Sequence, residues 1–329
     1  MRNYQDQKAL ILRYYSEIED ANYKNIEKIL KKFYIPDIQW YGVFPFNEQK
    51  GADAVIESFW IPFLSAWSNV QRRQDIFLAG TSEIDKTDWV ISMGNFMGLL
   101  DKNWLGLPAS RKISFLRYAD FNCIKNGKIV RSSFFCDIIS VMKQLGISPL
   151  TSETGTSFIY PGPRTHDGLL LDRQDPLESK KTIDLVNKMI GDLSNLNKTG
   201  NDCPHPDLLR KTWHDNMVWY GPSGIGASYT IPRYQEQHQY PFRKGLGDKV
   251  FKGHICRFAE GKYAGFFGWP NFTNKSKGGF LGLPPSEKTA DMRVVDIYRR
   301  DGDKLSENWV LIDLPWWLKQ QGLDILPNT

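Results

Sequence analysis

The sequence predicts an α+β fold built twice in one chain. Two observations carry this reading. Landmarks recur at a constant spacing, and each copy runs helices first and long strands afterwards. That segregation marks α+β rather than α/β. With 329 residues there is room for two domains of ordinary size.

The repeat is clearest near the end of each copy. Leu105-Gly106-Leu107-Pro108 recurs as Leu281-Gly282-Leu283-Pro284, 176 residues on. Arg117, Asp120, Ile129, Asp137, Gln144 and Gly146 find counterparts at the same spacing in Arg293, Asp296, Leu305, Asp313, Gln320 and Gly322. Earlier in the copies the spacing is 179: Trp40-Tyr41-Gly42 matches Trp219-Tyr220-Gly221, and Pro62-Phe63 matches Pro241-Phe242. A net three residues are therefore lost around 243–279.

In the first copy, Leu10, Ile11, Tyr14, Tyr15 and Ile18 have helical spacing over 7–18, and Ile26, Ile29, Leu30 and Phe33 repeat it over 23–33. Pro36 turns the chain extended into 38–42. A third helix is expected over 51–67, bent or broken at Pro62. Runs rich in β-branched and aromatic residues then predict antiparallel strands at 75–79, 89–100, 113–124 and 129–138, with Asn126-Gly127 as a hairpin turn. A short helix ends at Gly146.

Turn-forming residues crowd 146–176, which sets the organisation as a first domain over 1–150, a linker over 151–176 and a second domain over 177–329. The second copy opens on a helix over 177–196. Its glycine-rich loop, 221–226, lacks the Lys-Ser/Thr of a phosphate cradle and reads as a flexible rim over a cavity.

Composition narrows the function classes. Hydrophobic residues at 41% and charged ones at 24% suit a soluble globular protein, whereas 11 Trp, 14 Tyr and 19 Phe suit large cores or cavities for flat apolar ligands. The net charge of +5 is dispersed, which argues against nucleic acid as a partner. Cys123, Cys136, Cys203 and Cys256 show no metal-ligand spacing and read as reduced thiols. No apolar run approaches membrane-spanning length, and no cofactor or metal motif is present. The expected location is cytoplasmic.

The pattern Arg117, Asp120, Gly127-Lys128-Ile129, Asp137 and Gln144-Leu145-Gly146 resembles the SnoaL-like polyketide cyclases of the NTF2-like superfamily. The second copy shows it again in Arg293, Asp296, Trp309, Asp313 and Gln321-Gly322. The resemblance implies two cones, each a curved antiparallel sheet wrapped around helices with a ligand pocket inside, packed sheet against sheet as an intramolecular pseudo-dimer. It also implies the small-molecule metabolism of bacteria, and cofactor-independent aldol ring closure by an Asp on the last strand. That Asp position falls on Phe134 and Val310, so this chain departs from the pattern at its acid. The assisting position is Asp120 in one copy and Asp296 in the other.

The second copy is the more site-like, because it carries His214, His238 and His254 where the first has no histidine. Strand alternation puts Asp296 with Val294 and Tyr298. Asp296 is the candidate base in an aromatic pocket, or else the partner of Arg257 in a buried brace. His254, in an apparent strand with Cys256, is its expected catalytic partner. His238, Arg257, Tyr220, Trp269, Trp309 and Asp313 are candidate contacts for a small apolar or aromatic ligand, Asp313 more readily as a helix cap.

Three functions stay open on these residues. One is cyclase- or isomerase-type acid/base chemistry on a small polyketide-like or carbonyl substrate, the first copy being mainly structural. Another is ligand binding without catalysis. The third is epoxide hydrolysis, with Arg257, Asp296 and Asp313 around one water. A homo-oligomer is compatible with each.

Overall fold

The computed structural model describes residues 3–326. The chain divides into two compact units, one of 1–147, 161–173 and 324–329, the other of 148–160 and 174–323.

In the first unit, helices Gln5–Glu19 and Ile26–Phe33 precede the sheet. Their buried faces are largely the ones the spacing predicts: Leu10, Ile11, Tyr14, Tyr15 and Ile18 on one, Ile26, Leu30 and Phe33 on the other, with Ile29 only half-buried. The strands are β1 Tyr34–Gly42, β2 Glu48–Lys50, β3 Trp67–Thr81, β4 Asp88–Leu100, β5 Ile113–Lys125 and β6 Lys128–Cys136. They run in the order β2-β1-β6-β5-β4-β3. The sheet is not wholly antiparallel as expected, since β1 lies parallel to β6. The helices and the other strands intervene between the two, which supplies the long crossover that parallel pairing needs.

Pro62 does not break its helix. Ala52–Val55, a π-helical turn Ile56–Trp60 and Ile61–Ala66 follow one another without a gap. The wider turn accommodates a residue that has no N–H to give the helical ladder.

The second unit repeats the plan. Helix Pro176–Thr199 starts on Asp175, whose side chain accepts the N–H of Leu177 at 2.8 Å, and stops at left-handed Gly200. A second π-helical turn, Gln235–Gln239, stands directly before Tyr240–Gly245 and Pro241. The strands are β7 Trp213–Tyr220, β8 Ala227–Tyr229, β9 Leu246–Phe251, β10 Cys256–Glu260, β11 Tyr263–Ser276, β12 Ala290–Asp301 and β13 Lys304–Ile312. Their order is β10-β11-β12-β13-β7-β8, with β9 also pairing β11 and β7 parallel to β13.

The difference in spacing between the copies has a local cause. The single strand β3 is replaced by β9 and β10 with a break at 252–255. The turn before the next strand shrinks from 82–87 to 261–262, and β11 carries an irregularity between Gly268 and Phe272. The Leu-Gly landmark also has a reason: Leu105 and Gly106 (φ 51° and 73°) and Leu281 and Gly282 (φ 53° and 76°) hold left-handed backbone in both copies.

The segment read as a linker is pinned at both ends. Within the second unit, Gly155 donates to the Ile225 carbonyl at 2.8 Å, and Thr156 pairs with Ala227. Loop 221–226 is consequently buried throughout and is not a flexible rim. Gly155 admits this contact because a Cβ there would meet the Ala227 oxygen at 2.5 Å. Within the first unit, Leu170 donates to Phe77 at 2.8 Å, and the Lys8 ammonium caps the Leu170 carbonyl at 2.5 Å.

Candidate functional site

The concave face of the second sheet encloses a cavity of about 250 Å³. Side chains alternate along a strand, so β12 presents Val294, Asp296 and Tyr298 to it while β13 presents Asn308, Val310 and Ile312. Helix Pro176–Thr199 and the helical stretch 231–245 close the other side with Met189, Leu193, Tyr234, His238 and Phe242. The position that the resemblance gives to an acid is therefore inside the cavity, occupied by Val310, and its cross-strand neighbour is Asp296.

Asp296 is enclosed by protein yet keeps some accessible surface toward the cavity. Its Oδ1 accepts the Tyr298 hydroxyl at 3.0 Å and the Asn308 amide at 3.3 Å. No ion pair reaches it, so the brace with Arg257 is not formed. Burial outweighs the two hydrogen bonds and pushes its pKa up to about 6. Tyr234 stands on the opposite wall. Burial and the Asp296 charge push its phenol pKa up, and its hydroxyl has no hydrogen-bond partner among the described residues.

Both cavity histidines are neutral. His238 stacks on Trp219 at 4.0 Å and 16°, and burial lowers its pKa to about 3. His254 stacks on Phe266 at 4.0 Å and 18°, and burial with the nearby Arg257 charge lowers its pKa to about 3 as well. The Nδ1 of each ring is buried without a partner. His254 sits in the break between β9 and β10 rather than in a strand. The signal passed over in the sequence is Gly253, whose left-handed backbone (φ 112°) interrupts the strand just before His254. His254 and Asp296 line one cavity, but no hydrogen bond or ion pair joins them. Phe266 stands between them, stacked on His254 and paired in register with Asp296.

Five other candidates lie off the cavity lining. Trp309 is on the opposite face of β13, stacked with Tyr220 at 5.6 Å, and Tyr220 in turn meets Tyr160 at 5.3 Å. Asp313 accepts from the Trp316 N–H at 3.3 Å as a helix cap and holds Arg293 in a buried ion pair at 3.0 Å. That guanidinium is stacked over Trp269 at 4.1 Å and Trp316 at 4.7 Å. Arg257, on β10 beside Phe266, acts on the site through its charge on His254. The Asp–Arg–Asp set that epoxide hydrolysis requires is not assembled, because Asp313 is bound to Arg293 outside the cavity. His214 instead contacts the Asp301 carbonyl at 2.9 Å.

Tyr234 and Asn308 were missing from the sequence-derived site, whereas Tyr298 was placed on the face of Asp296 without a role. Two signals pointed to them: Tyr234 precedes His238 by one helical repeat, and Asn308 alternates with Val310. Among the described residues, no three His, Cys, Asp or Glu side chains gather where they could hold a metal ion. No helix there is long and apolar enough to cross a membrane.

The first unit fills the equivalent space differently. Phe134 faces Asp120 where Val310 faces Asp296. Phe134 packs on Phe59 at 4.8 Å and lies parallel to Tyr118 at 6.1 Å. Asp120 pairs with Arg72 at 3.6 Å.

No protein-family model matches the sequence, and no curated protein does. Solved structures similar to the chain include a protein described as a SnoaL-like polyketide cyclase from Jannaschia sp. CCS1, 14% identical over 44% of this chain and 94% of that one, with a TM-score of 0.35. An NTF2-like protein from Burkholderia xenovorans LB400 is 9% identical over 44% of this chain and 98% of its own, with a TM-score of 0.33. Another, from Burkholderia thailandensis E264, is 18% identical over 44% and 98%, with a TM-score of 0.31. The SnoaL-like and NTF2-like resemblance is met among solved structures, each spanning under half of this chain.

Proposed function

We propose that the second unit's cavity carries out cofactor-independent proton transfer on a small, neutral, partly apolar carbonyl compound, with Asp296 as general acid/base. The observation that carries this reading is a carboxylate in an aromatic-walled cavity, steadied by two neutral donors and without a cationic partner. Its pKa of about 6 lets it take and return a proton near neutral pH. His254 and His238, held neutral, serve as uncharged polar wall for the ligand. Tyr234, with a hydroxyl free to donate, is placed to polarise a carbonyl oxygen. The cavity volume suits a molecule of one or two rings, and the absence of lysine and arginine from its lining disfavours anionic substrates. The first unit does not share this chemistry, since Asp120 is paired with Arg72 and Phe134 fills the space beside it.

Proton transfer can be tested without knowing the substrate. A panel of small cyclic ketones and 1,3-diketones in D2O is incubated with the protein, and deuterium entry next to the carbonyl is followed by NMR. Catalysed exchange is expected, falling on the order of a hundredfold or more in Asp296→Asn. Ligands that bind the cavity with no exchange would reduce the site to a binding module, the reading that Val310 in the acid position favours.

A further inference from the structure

The first unit holds a feature that proton transfer in the second does not use. The Arg72 side chain, on β3, is 2% exposed, and none of its three guanidinium nitrogens meets hydrogen-bond geometry with a described residue, the Tyr118 hydroxyl being near enough to act on its charge. Its Nη1 lies 3.6 Å from Asp120 Oδ2, a charge contact beyond hydrogen-bond length. That carboxylate oxygen already accepts the Tyr15 hydroxyl at 2.8 Å. The other neighbours of the guanidinium are ring faces: Tyr15 at 3.7 Å, Phe96 at 4.5 Å and Tyr118 at 4.6 Å. Ring faces stabilise a cation but leave its N–H donors unsatisfied, and a buried group in that state calls for an explanation.

A cavity of about 320 Å³ adjoins it. Trp60, Phe63, Leu64, Trp67, Phe96 and Arg72 are among its walls. The Trp67 indole N–H is another buried donor without an acceptor. The one carboxylate in the lining is Glu19, which is exposed and accepts the Arg72 backbone N–H at 2.9 Å. Phe96 both lines the cavity and covers the guanidinium. The Nε–Nη2 edge of Arg72 has neither hydrogen bond nor ion pair, and such an edge matches the two oxygens of a carboxylate.

We propose that this cavity binds a small monocarboxylate, its oxygens taken by Arg72 once Phe96 turns aside and its apolar body lying against Trp60 and Phe63. A dry cavity of roughly 150 Å³ holds benzene, so there is room here for about a dozen non-hydrogen atoms, the size of an aryl or short branched-chain acid. The site is independent of the chemistry at Asp296.

The test titrates the full chain with benzoate and with its neutral analogue benzamide, read by tryptophan fluorescence and calorimetry. Benzoate is expected to bind at least tenfold tighter, with the ratio collapsing toward one in Arg72→Met. Equal binding of the two by the unaltered protein overturns the proposal, as does selectivity that survives Arg72→Met. Should Arg72→Met fail to fold, Leu64→Trp fills the cavity from a part-exposed wall position, and benzoate binding that persists there also overturns it. Val310→Phe closes the second cavity and should leave benzoate affinity within twofold. A loss in that variant assigns the ligand to the second unit and sinks the proposal.

Discussion

Asp296 and Val310 face each other across β12 and β13, and Asp120 and Phe134 hold the same relation across β5 and β6. The two copies thus keep one carboxylate and replace the other acid position with an apolar side chain. What separates them is how that carboxylate is held: by two neutral donors in the second unit, by Arg72 and a tyrosine in the first.

Asp296 should make stability depend on pH in a defined direction. An ordinary Asp has a pKa near 3.9 when unfolded, and the folded value is about 6. Between the two the unfolded chain has lost the proton and the folded one keeps it, so stability falls as pH rises through this window. The penalty is at most about 3 kcal/mol, since each pKa unit corresponds to about 1.4 kcal/mol, and the residue's accessible surface reduces it. Urea unfolding at pH 4 and pH 7 should show Asp296→Asn gaining on the parent as pH rises. A pH-independent difference would mean that the carboxylate is not raised.

Val310→Asp would set two carboxylates side by side in the cavity. Like charges at that distance cannot both ionise, so the pair should share a proton and titrate in two separated steps, the upper one above 6. Carbon-13 NMR of labelled aspartate measures this directly. The variant should also lose about 1–3 kcal/mol at neutral pH and less at pH 5.

His238→Phe should be tolerated. The residue 179 positions earlier is Phe59, and the imidazole stands with its Nδ1 buried and unpartnered. Phenylalanine preserves a ring against Trp219 and removes an unsatisfied polar atom. A change between zero and about 1 kcal/mol in favour of folding is expected by thermal unfolding. A loss of several kcal/mol would show that the histidine has an essential partner.

Asp313→Ala should act on stability and not on the cavity. It removes a helix cap and strands the buried Arg293, a change that costs about 3–5 kcal/mol. Ligand affinity of the folded fraction should stay within a few-fold, as measured by calorimetry at low temperature. A proportionate loss of affinity would return Asp313 to the site.

Much of the plan could be read from the residues. Helical faces, the Asn126-Gly127 hairpin and the capping aspartates are local features, and local physics sets them. The face shared by Val294, Asp296 and Tyr298 followed from alternation alone. Which residues of β13 join that face did not, because register across strands depends on pairing that one strand's sequence does not specify. Trp309 and Asn308 are neighbours in sequence, and a shift of one exchanges wall for outer surface. The parallel placement of β1 and β7 and the break holding His254 are likewise products of tertiary pairing. So is the burial of loop 221–226, whose glycines suggested mobility until Gly155 and Thr156 were seen to cover it.

The π-helical turn before Pro62 and its twin before Pro241 mark what the two halves hold in common, and His238 stands in the second of these turns. The interruption at 252–255 and the shortened turn at 261–262 occur in only one half, and His254 stands in that interruption. The two cavity histidines thus sit on opposite sides of a line between shared frame and private detail.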